Sequence, residues 1–281
     1  MATLIVVSLL VLATAFYLLW LQSSMLYMPK AYGAEHPLKA DGSIVELEYA
    51  SNQGQQIAYY LPPKAKPDAL PNHVYMLFNG NASLALNWYE LASRHPDGEI
   101  GFLLYDYPGY GACAGKPSPT AIAETSDKAL AALSQHLNIE THELEKRLSV
   151  MGHSLGAATA LQFAAHHPVA TVVLIAPFTT LQEMACRVVG KPICYFLTHH
   201  LNNGQRLAEL AKREPPPNVT IFHGDEDETI PVEMGRQLAQ EFPHLVTYKE
   251  IKGCNHSDIL TVAEADIHAA INYQKCADTS T

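Results

Sequence analysis

Residues 150–160 read VMGHSLGAATA, and the fold turns on how this stretch uses Ser154. An apolar run at 148–151 precedes the serine and an alanine-rich run follows it. That order predicts a strand, a tight turn and a helix. Gly152 and Gly156 bracket Ser154 in a Gly-x-Ser-x-Gly pattern. A strand-to-helix elbow of this kind strains the backbone at the serine and requires small neighbours. The helix N-terminus then sets partial positive charge beside the hydroxyl. A serine at the same point also serves as an ordinary N-cap. The pattern alone leaves both uses open.

Working outward, strand-like apolar runs occur at 73–78, 100–105, 148–151, 170–176, 219–222 and 245–251. Helical patterns alternate with them at 84–94, 121–137, 155–166, 232–242 and 259–274. Continuous apolar strands between helices predict an α/β fold, a mostly parallel sheet covered by helices on both faces. Two alternating runs, 44–49 and 56–61, are separated by SNQG and predict an antiparallel hairpin, which makes the sheet mixed. Residues 178–215 break the alternation. They carry aromatic and aliphatic side chains but no strand of matching pattern, and we read them as an inserted cap over the site.

Residues 1–29 contain no charged side chain, and 2–21 form an apolar run of twenty residues. A helix of that length spans roughly the 30 Å of a bilayer's hydrocarbon core. Tyr17, Trp20 and Tyr27 gather at its far end, as in an interfacial aromatic belt. No basic leader and no small-x-small cleavage pattern accompany the run. A single-pass N-terminal membrane anchor over 1–29 is therefore expected, followed by one domain over 30–281. The flanking charges leave the side of the membrane open.

The chain has 281 residues, 48% hydrophobic and 16% charged, enough for one large α/β domain with a sizeable core. Its net charge is −10 and it holds no basic run, which argues against nucleic acid as a partner. No phosphate-cradling glycine loop ends in lysine, so no nucleotide is expected. The fourteen histidines include two adjacent pairs, but no His-x-x-x-His accompanied by a carboxylate, so neither metal nor cofactor is expected. The five cysteines, Cys113, Cys186, Cys194, Cys254 and Cys276, lack Cys-x-x-Cys spacing and are read as buried thiols. Cys186 and Cys194 are near enough in sequence to pair in an oxidising compartment.

In open parallel sheets, ligands sit beyond the carboxyl ends of the strands. After the strand at 148–151 comes Ser154. After the strand at 219–222 comes HGDEDETIP, with Asp225, Glu226, Asp227 and Glu228 as candidate carboxylates. After the strand at 245–251 comes KGCNHSDIL, with His256 on the loop before the last helix. A serine is a weak nucleophile that needs a base, and the base needs a carboxylate to orient it. Each candidate has a bland reading: an N-cap, an acidic turn, a structural histidine. All three, each behind its own strand and in the order serine, acid, histidine, point to a nucleophilic serine site.

The chain resembles α/β-hydrolase-fold serine hydrolases, and among them the membrane-anchored ABHD-type branch. The resemblance rests on LYMP (26–29), FNGNAS (78–83), YDYPGYGACAGKPS (105–118), GHSLGAA (152–158), HGDEDETIP (223–231) and NHSD (255–258). It implies Ser154 as nucleophile, His256 as base and Asp227, last of the His-Gly-x-x-Asp pattern, as the orienting acid, with Asp225 in reserve. It implies an oxyanion hole of the backbone N–H groups of Leu155 and Asn81. Where the family has His-Gly-Asn, this chain has Asn79-Gly80-Asn81. The loop around Asp106 is structural in that family, with turns at Gly109, Gly111 and Gly115.

The function expected is hydrolysis of a carboxylic ester or thioester of a small-molecule or lipid acyl substrate. A peptidase or amidase using the same residues is the alternative within enzymes. A catalytically inactive, membrane-anchored interaction module is the alternative outside them.

Overall fold

The computed structural model describes residues 24, 26–33 and 43–271. The apolar run 2–21, and with it the expected membrane span, lies outside the described residues. Among the described residues, no helix is long and apolar enough to cross a membrane.

Eight strands form one sheet: β1 (Val45–Ser51), β2 (Gly54–Leu61), β3 (His73–Phe78), β4 (Ile100–Tyr105), β5 (Leu148–His153), β6 (Thr171–Ile175), β7 (Asn218–Gly224) and β8 (Val246–Ile251). Their spatial order is β1-β2-β4-β3-β5-β6-β7-β8. β1 and β2 form the expected hairpin, β2 is antiparallel to β4, and all later neighbours are parallel. The chain leaves β3 for β4 on one side and returns to β5 on the other. Their loops diverge there and open a crevice at the sheet's carboxyl edge.

Strands β3 and β4 are buried along their whole length because the sheet is covered on both sides. Val74, Met76 and Phe78 enter one core, while Tyr75 and Leu77 enter the other. The first core is closed by α2 (Pro119–His136), α4 (Leu155–Ala164), α6 (Asn203–Leu210) and α7 (Val232–Glu241). The second is closed by a 3₁₀ turn (Ala85–Trp88), α1 (Tyr89–Arg94), α8 (Ile259–Val262) and α9 (Glu264–Ile271). The helix expected over 259–274 is interrupted at Ala263, and its last three residues lie outside the described residues. A short helix, α3 (Thr141–Glu145), has too few apolar residues to show in the sequence pattern.

The stretch 178–215 consists of two parts. An antiparallel bridge between Thr180 and Asn202 pinches off residues 180–202 as an excursion. It holds α5 (Leu181–Val189) and a 3₁₀ turn (Ile193–Phe196). Beyond it, α6 packs back on the sheet through Leu207 and Leu210. Cys186 and Cys194 form a disulfide in place of the two thiols expected. The turn folds back on α5 and brings their Cα atoms to 4.8 Å, within bonding reach. Cys113 and Cys254 are buried thiols.

Asp106 is fully buried at the end of β4. It accepts hydrogen bonds from the Ala85 amide (2.8 Å) and the Tyr32 hydroxyl (2.7 Å). Gly109, Gly111 and Gly115 take positive φ in the loop that follows, as turns there require. This loop is scaffold.

His167 joins three helices of the first face. Its Nδ1 lies 2.7 Å from Glu145 and its Nε2 3.0 Å from Asp127, and its ring stacks on Phe163. Burial lowers its pKa, but the hydrogen bonds to Asp127 and Glu145 outweigh this and raise it above 6.5. A raised folded pKa adds stability that is complete below the unfolded value and fades as pH climbs through the folded one. The stability gap between the protein and His167→Ala, measured by urea unfolding, is expected to be largest below about pH 6 and to shrink as pH rises above it. A gap that is independent of pH would show that the ring acts by packing alone.

Candidate active site

Ser154 sits where β5 meets α4, with φ 58° and ψ −121°. That conformation costs of order 1–3 kcal/mol and is held from outside. The Ser154 amide donates to the Ile175 carbonyl of β6 at 2.9 Å. A Cβ at Gly152 would collide with the Gly156 carbonyl, and one at Gly156 with the Phe78 carbonyl. Both glycines are therefore required for the helix to approach β3 and β5 so closely. The serine hydroxyl makes no capping hydrogen bond to α4. Of the two uses open to Ser154, the side chain is not used as a cap.

Of the four acids behind β7, only Asp227 is buried. Asp225 instead accepts the Gly253 amide at 2.6 Å and ties the β7 loop to the β8 loop. Asp227 Oδ1 accepts the amides of Thr229 (2.8 Å) and Ile230 (2.7 Å). Its Oδ2 lies 2.7 Å from His256 Nδ1 and 3.5 Å from His223 Nε2. Burial would raise its pKa, but hydrogen bonds from His223, His256 and the Ile230 amide hold it well below the ordinary carboxylate range. An ionised Asp227 can only accept, so His256 Nδ1 carries a proton, and in the neutral imidazole Nε2 is the ring nitrogen left with a lone pair.

Ser154 and His256 face a common cleft without a direct hydrogen bond between them. Catalytic contacts of this kind often tighten only when substrate is bound. The β3 loop abuts the elbow: a Cβ built on Gly80 would lie 3.7 Å from that of Ser154. The amides of Asn81 and Leu155 have no acceptor among the described residues and flank Ser154. Asn79 does not face the site. Its side chain bridges the Tyr105 carbonyl (2.9 Å) and the Trp88 indole N–H (2.8 Å), which locks the exit of β3.

Two further contributors have roles that the sequence reading did not assign. His153, the variable residue of the elbow, has its ring 4.6 Å from that of His256. Its Nε2 donates to the His256 carbonyl at 3.1 Å. Burial, and then the neighbouring His256, push its pKa down to about 3, so it is a neutral donor. The second contributor is the strap 26–33. The Asn81 carbonyl accepts from the Met28 amide (3.1 Å) and from the Tyr110 hydroxyl (2.6 Å). Leu26 reaches the wall of an adjoining cavity, and Tyr27 meets His199 of the cap excursion at 3.3 Å. The LYMP motif marked this segment in the sequence, but only the long-range contacts reveal what it holds.

That cavity, about 330 Å³, opens from Ser154 beneath the cap excursion. It is lined by Leu155, Phe178, Leu181, Met184, Val188 and Ile230, among others. Leu181, Met184, Ala185 and Val188 recur at three- and four-residue spacing, so one face of α5 forms its roof.

Tyr110→Phe removes one of two donors to the Asn81 carbonyl, which lies in the peptide unit after the one that carries the Asn81 amide, so the substitution loosens the loop next to that amide. If the Asn81 amide serves as an oxyanion donor, as proposed below, labelling of Ser154 by a fluorophosphonate is expected to slow about tenfold, less than the ~3 kcal/mol of losing such a donor outright, because the amide stays and only its loop is loosened. The thermal midpoint is expected to move by only a few degrees. An unchanged labelling rate would detach the strap from the site.

The alpha/beta hydrolase family model matches residues 76–250. An uncharacterized protein of Mycobacterium tuberculosis is 26% identical over 242 residues, covering 84% of this chain and 81% of that one. The human alpha/beta hydrolase domain-containing protein 17B is 28% identical over 228 residues, covering 76% and 74%. Among solved structures, an esterase of Pyrococcus furiosus superposes with a TM-score of 0.66 at 13% identity, covering 87% and 95%. An alpha-beta hydrolase of Vibrio vulnificus does so at 0.64 and 15%, covering 87% and 97%. The sheet order, the elbow and the family match over 76–250 together establish that this chain belongs to the alpha/beta hydrolase family.

Proposed function

We propose that this hydrolase cleaves carboxylic esters or thioesters of acyl, lipid-like substrates through an acyl-enzyme on Ser154. The observation that carries the reading is the 2.7 Å bond from His256 to an ionised Asp227, beside a strained, uncapped serine at the mouth of an apolar cavity.

In the proposed reaction His256 Nε2 takes the proton of Ser154 as Oγ attacks the acyl carbon. The Asn81 and Leu155 amides receive the negative charge on the carbonyl oxygen. Asp227 holds the imidazole tautomer and stabilises the imidazolium. The imidazolium then protonates the leaving group, and water repeats the sequence to release the acid. No step calls for a metal or cofactor.

The domain is proposed to work at a membrane, tethered by the apolar run 2–21. Support comes from the strap, which leads from that run directly to the cavity wall and the oxyanion loop. The open side of the cavity exposes Val188 (67%), Ile193 (52%) and Phe196 (68%), with Tyr195 (58%) next to them in the chain, an apolar mouth suited to contact with lipid. The Cys186–Cys194 disulfide supports the oxidising side of that membrane.

Fluorophosphonate labelling of the full chain is expected and should vanish in Ser154→Ala. Ser154→Ala and His256→Ala should each lower kcat on an acyl ester by about 10⁴–10⁶, and the double variant by little more. Additive losses, or labelling that survives Ser154→Ala, would refute the mechanism. Carbonate extraction is expected to leave the full chain in the membrane pellet, and its appearance in the soluble fraction would refute the anchor.

A further inference from the structure

Ser154 lies at the boundary of two spaces of opposite character. One is the apolar cavity under the cap. The other is a cleft of about 430 Å³ on the far side of the serine, between the β3 loop, α1 and α8. Ser154 and Asn81 border both spaces, but His256 borders only the cleft. The proposed reaction makes this asymmetry decisive. The group that protonates the leaving atom faces the cleft, so the leaving group departs there and the acyl chain occupies the cavity.

The walls of the cleft define what it accepts. Ser83, Asn87, Ser257 and Thr261 offer neutral hydrogen-bonding groups. Arg94 is the sole arginine or lysine lining it, and it is engaged by Glu90 (3.0 Å) and Glu264 (3.2 Å). These three side chains sum to one negative charge. A phosphate or carboxylate entering here would meet no uncompensated cation and two carboxylates. A hydroxyl-bearing, uncharged group would meet donors and acceptors alone.

We propose that this cleft is the leaving-alcohol site and that the enzyme's substrates are acyl esters of an uncharged polyol. The inference rests on the serine-hydrolase reading above and narrows it. The Ser154 Oγ–carbon bond forms as the ester C–O bond breaks, and the alkoxide oxygen takes the proton from His256 Nε2. The free polyol diffuses out through the cleft. Water enters by the same route, loses a proton to His256 and attacks the acyl carbon. The fatty acid and the Ser154 hydroxyl are regenerated, so the sum is ester plus water to acid plus polyol.

The test uses the full chain in non-ionic detergent micelles and three esters of one acyl chain: 1-monoacylglycerol, the same compound phosphorylated at the glycerol 3-position, and the p-nitrophenyl ester. The ratio of kcat/KM for the glycerol ester over its phosphate counterpart is expected to be about tenfold or more. In Glu90→Gln/Glu264→Gln, which leaves Arg94 uncompensated, the ratio should fall toward or below one. Because each ratio is taken within one protein, losses in folding or turnover cancel. Equal use of the two glycerol compounds alongside brisk p-nitrophenyl ester hydrolysis would overturn the polyol assignment alone. No hydrolysis of any ester, with Ser154 unlabelled, would overturn the serine-hydrolase reading and this inference with it.

Discussion

The close approach of α4 to the edge of β3 and β5 is the constraint on which the site depends. It exists only because Gly152 and Gly156 carry no Cβ, and it holds Ser154 in a backbone conformation that a free chain would leave. The surrounding contacts resist relaxation. The Ser154 amide is tied to β6, and the Tyr107 hydroxyl lies 2.7 Å from the Asn79 carbonyl and 2.9 Å from Thr159 Oγ1 on the first turns of α4. Local strain is thus balanced by long-range hydrogen bonds and two cores.

From the elbow the remaining groups follow by topology. The parallel pairing of β3 with β5, with Phe78 opposite Gly152, brings Gly80 and Asn81 beside the serine. The loops behind β7 and β8 lie next to each other because those strands pair. Asp225 ties those loops to one another, which leaves Asp227 to meet His256. His153 supports the carbonyl of His256 from below, so elbow and histidine loop are held as one unit. On the proposed reading, the strap extends this coupling to the membrane, since Met28, seven residues beyond the apolar run in the chain, donates to the Asn81 carbonyl.

Much of this was legible in the primary structure. Strand and helix patterns reproduce the observed elements because buried parallel strands are continuously apolar and their helices keep a three- and four-residue period. The turns at Gly109, Gly111 and Gly115 and the structural role of their loop were implied by the family resemblance, and the positive φ of all three agrees with it. Other features had no local signature. The Cys186–Cys194 pair depended on how the cap folds back. The break at Ala263 and the division of residues 178–215 into an excursion and a core-packed helix left no mark in the residue pattern. His153 and Tyr110 looked like ordinary members of a motif and a loop.

Residue pattern was enough to give the architecture, the elbow at Ser154 and a short list of acids and bases behind successive strands. Those depend on local pattern and on residues whose chemistry is confined to a few positions. Folding brings Asp227, the acid that the family resemblance implied, to His256 while Asp225 turns to Gly253, and it aims two donors at the Asn81 carbonyl. Only in the tertiary structure does the serine stand between an apolar cavity and a polar cleft. Contacts such as Met28 to Asn81 or Arg94 to Glu264 join residues far apart in the chain, and their geometry arises only when the sheet brings those loops to one edge.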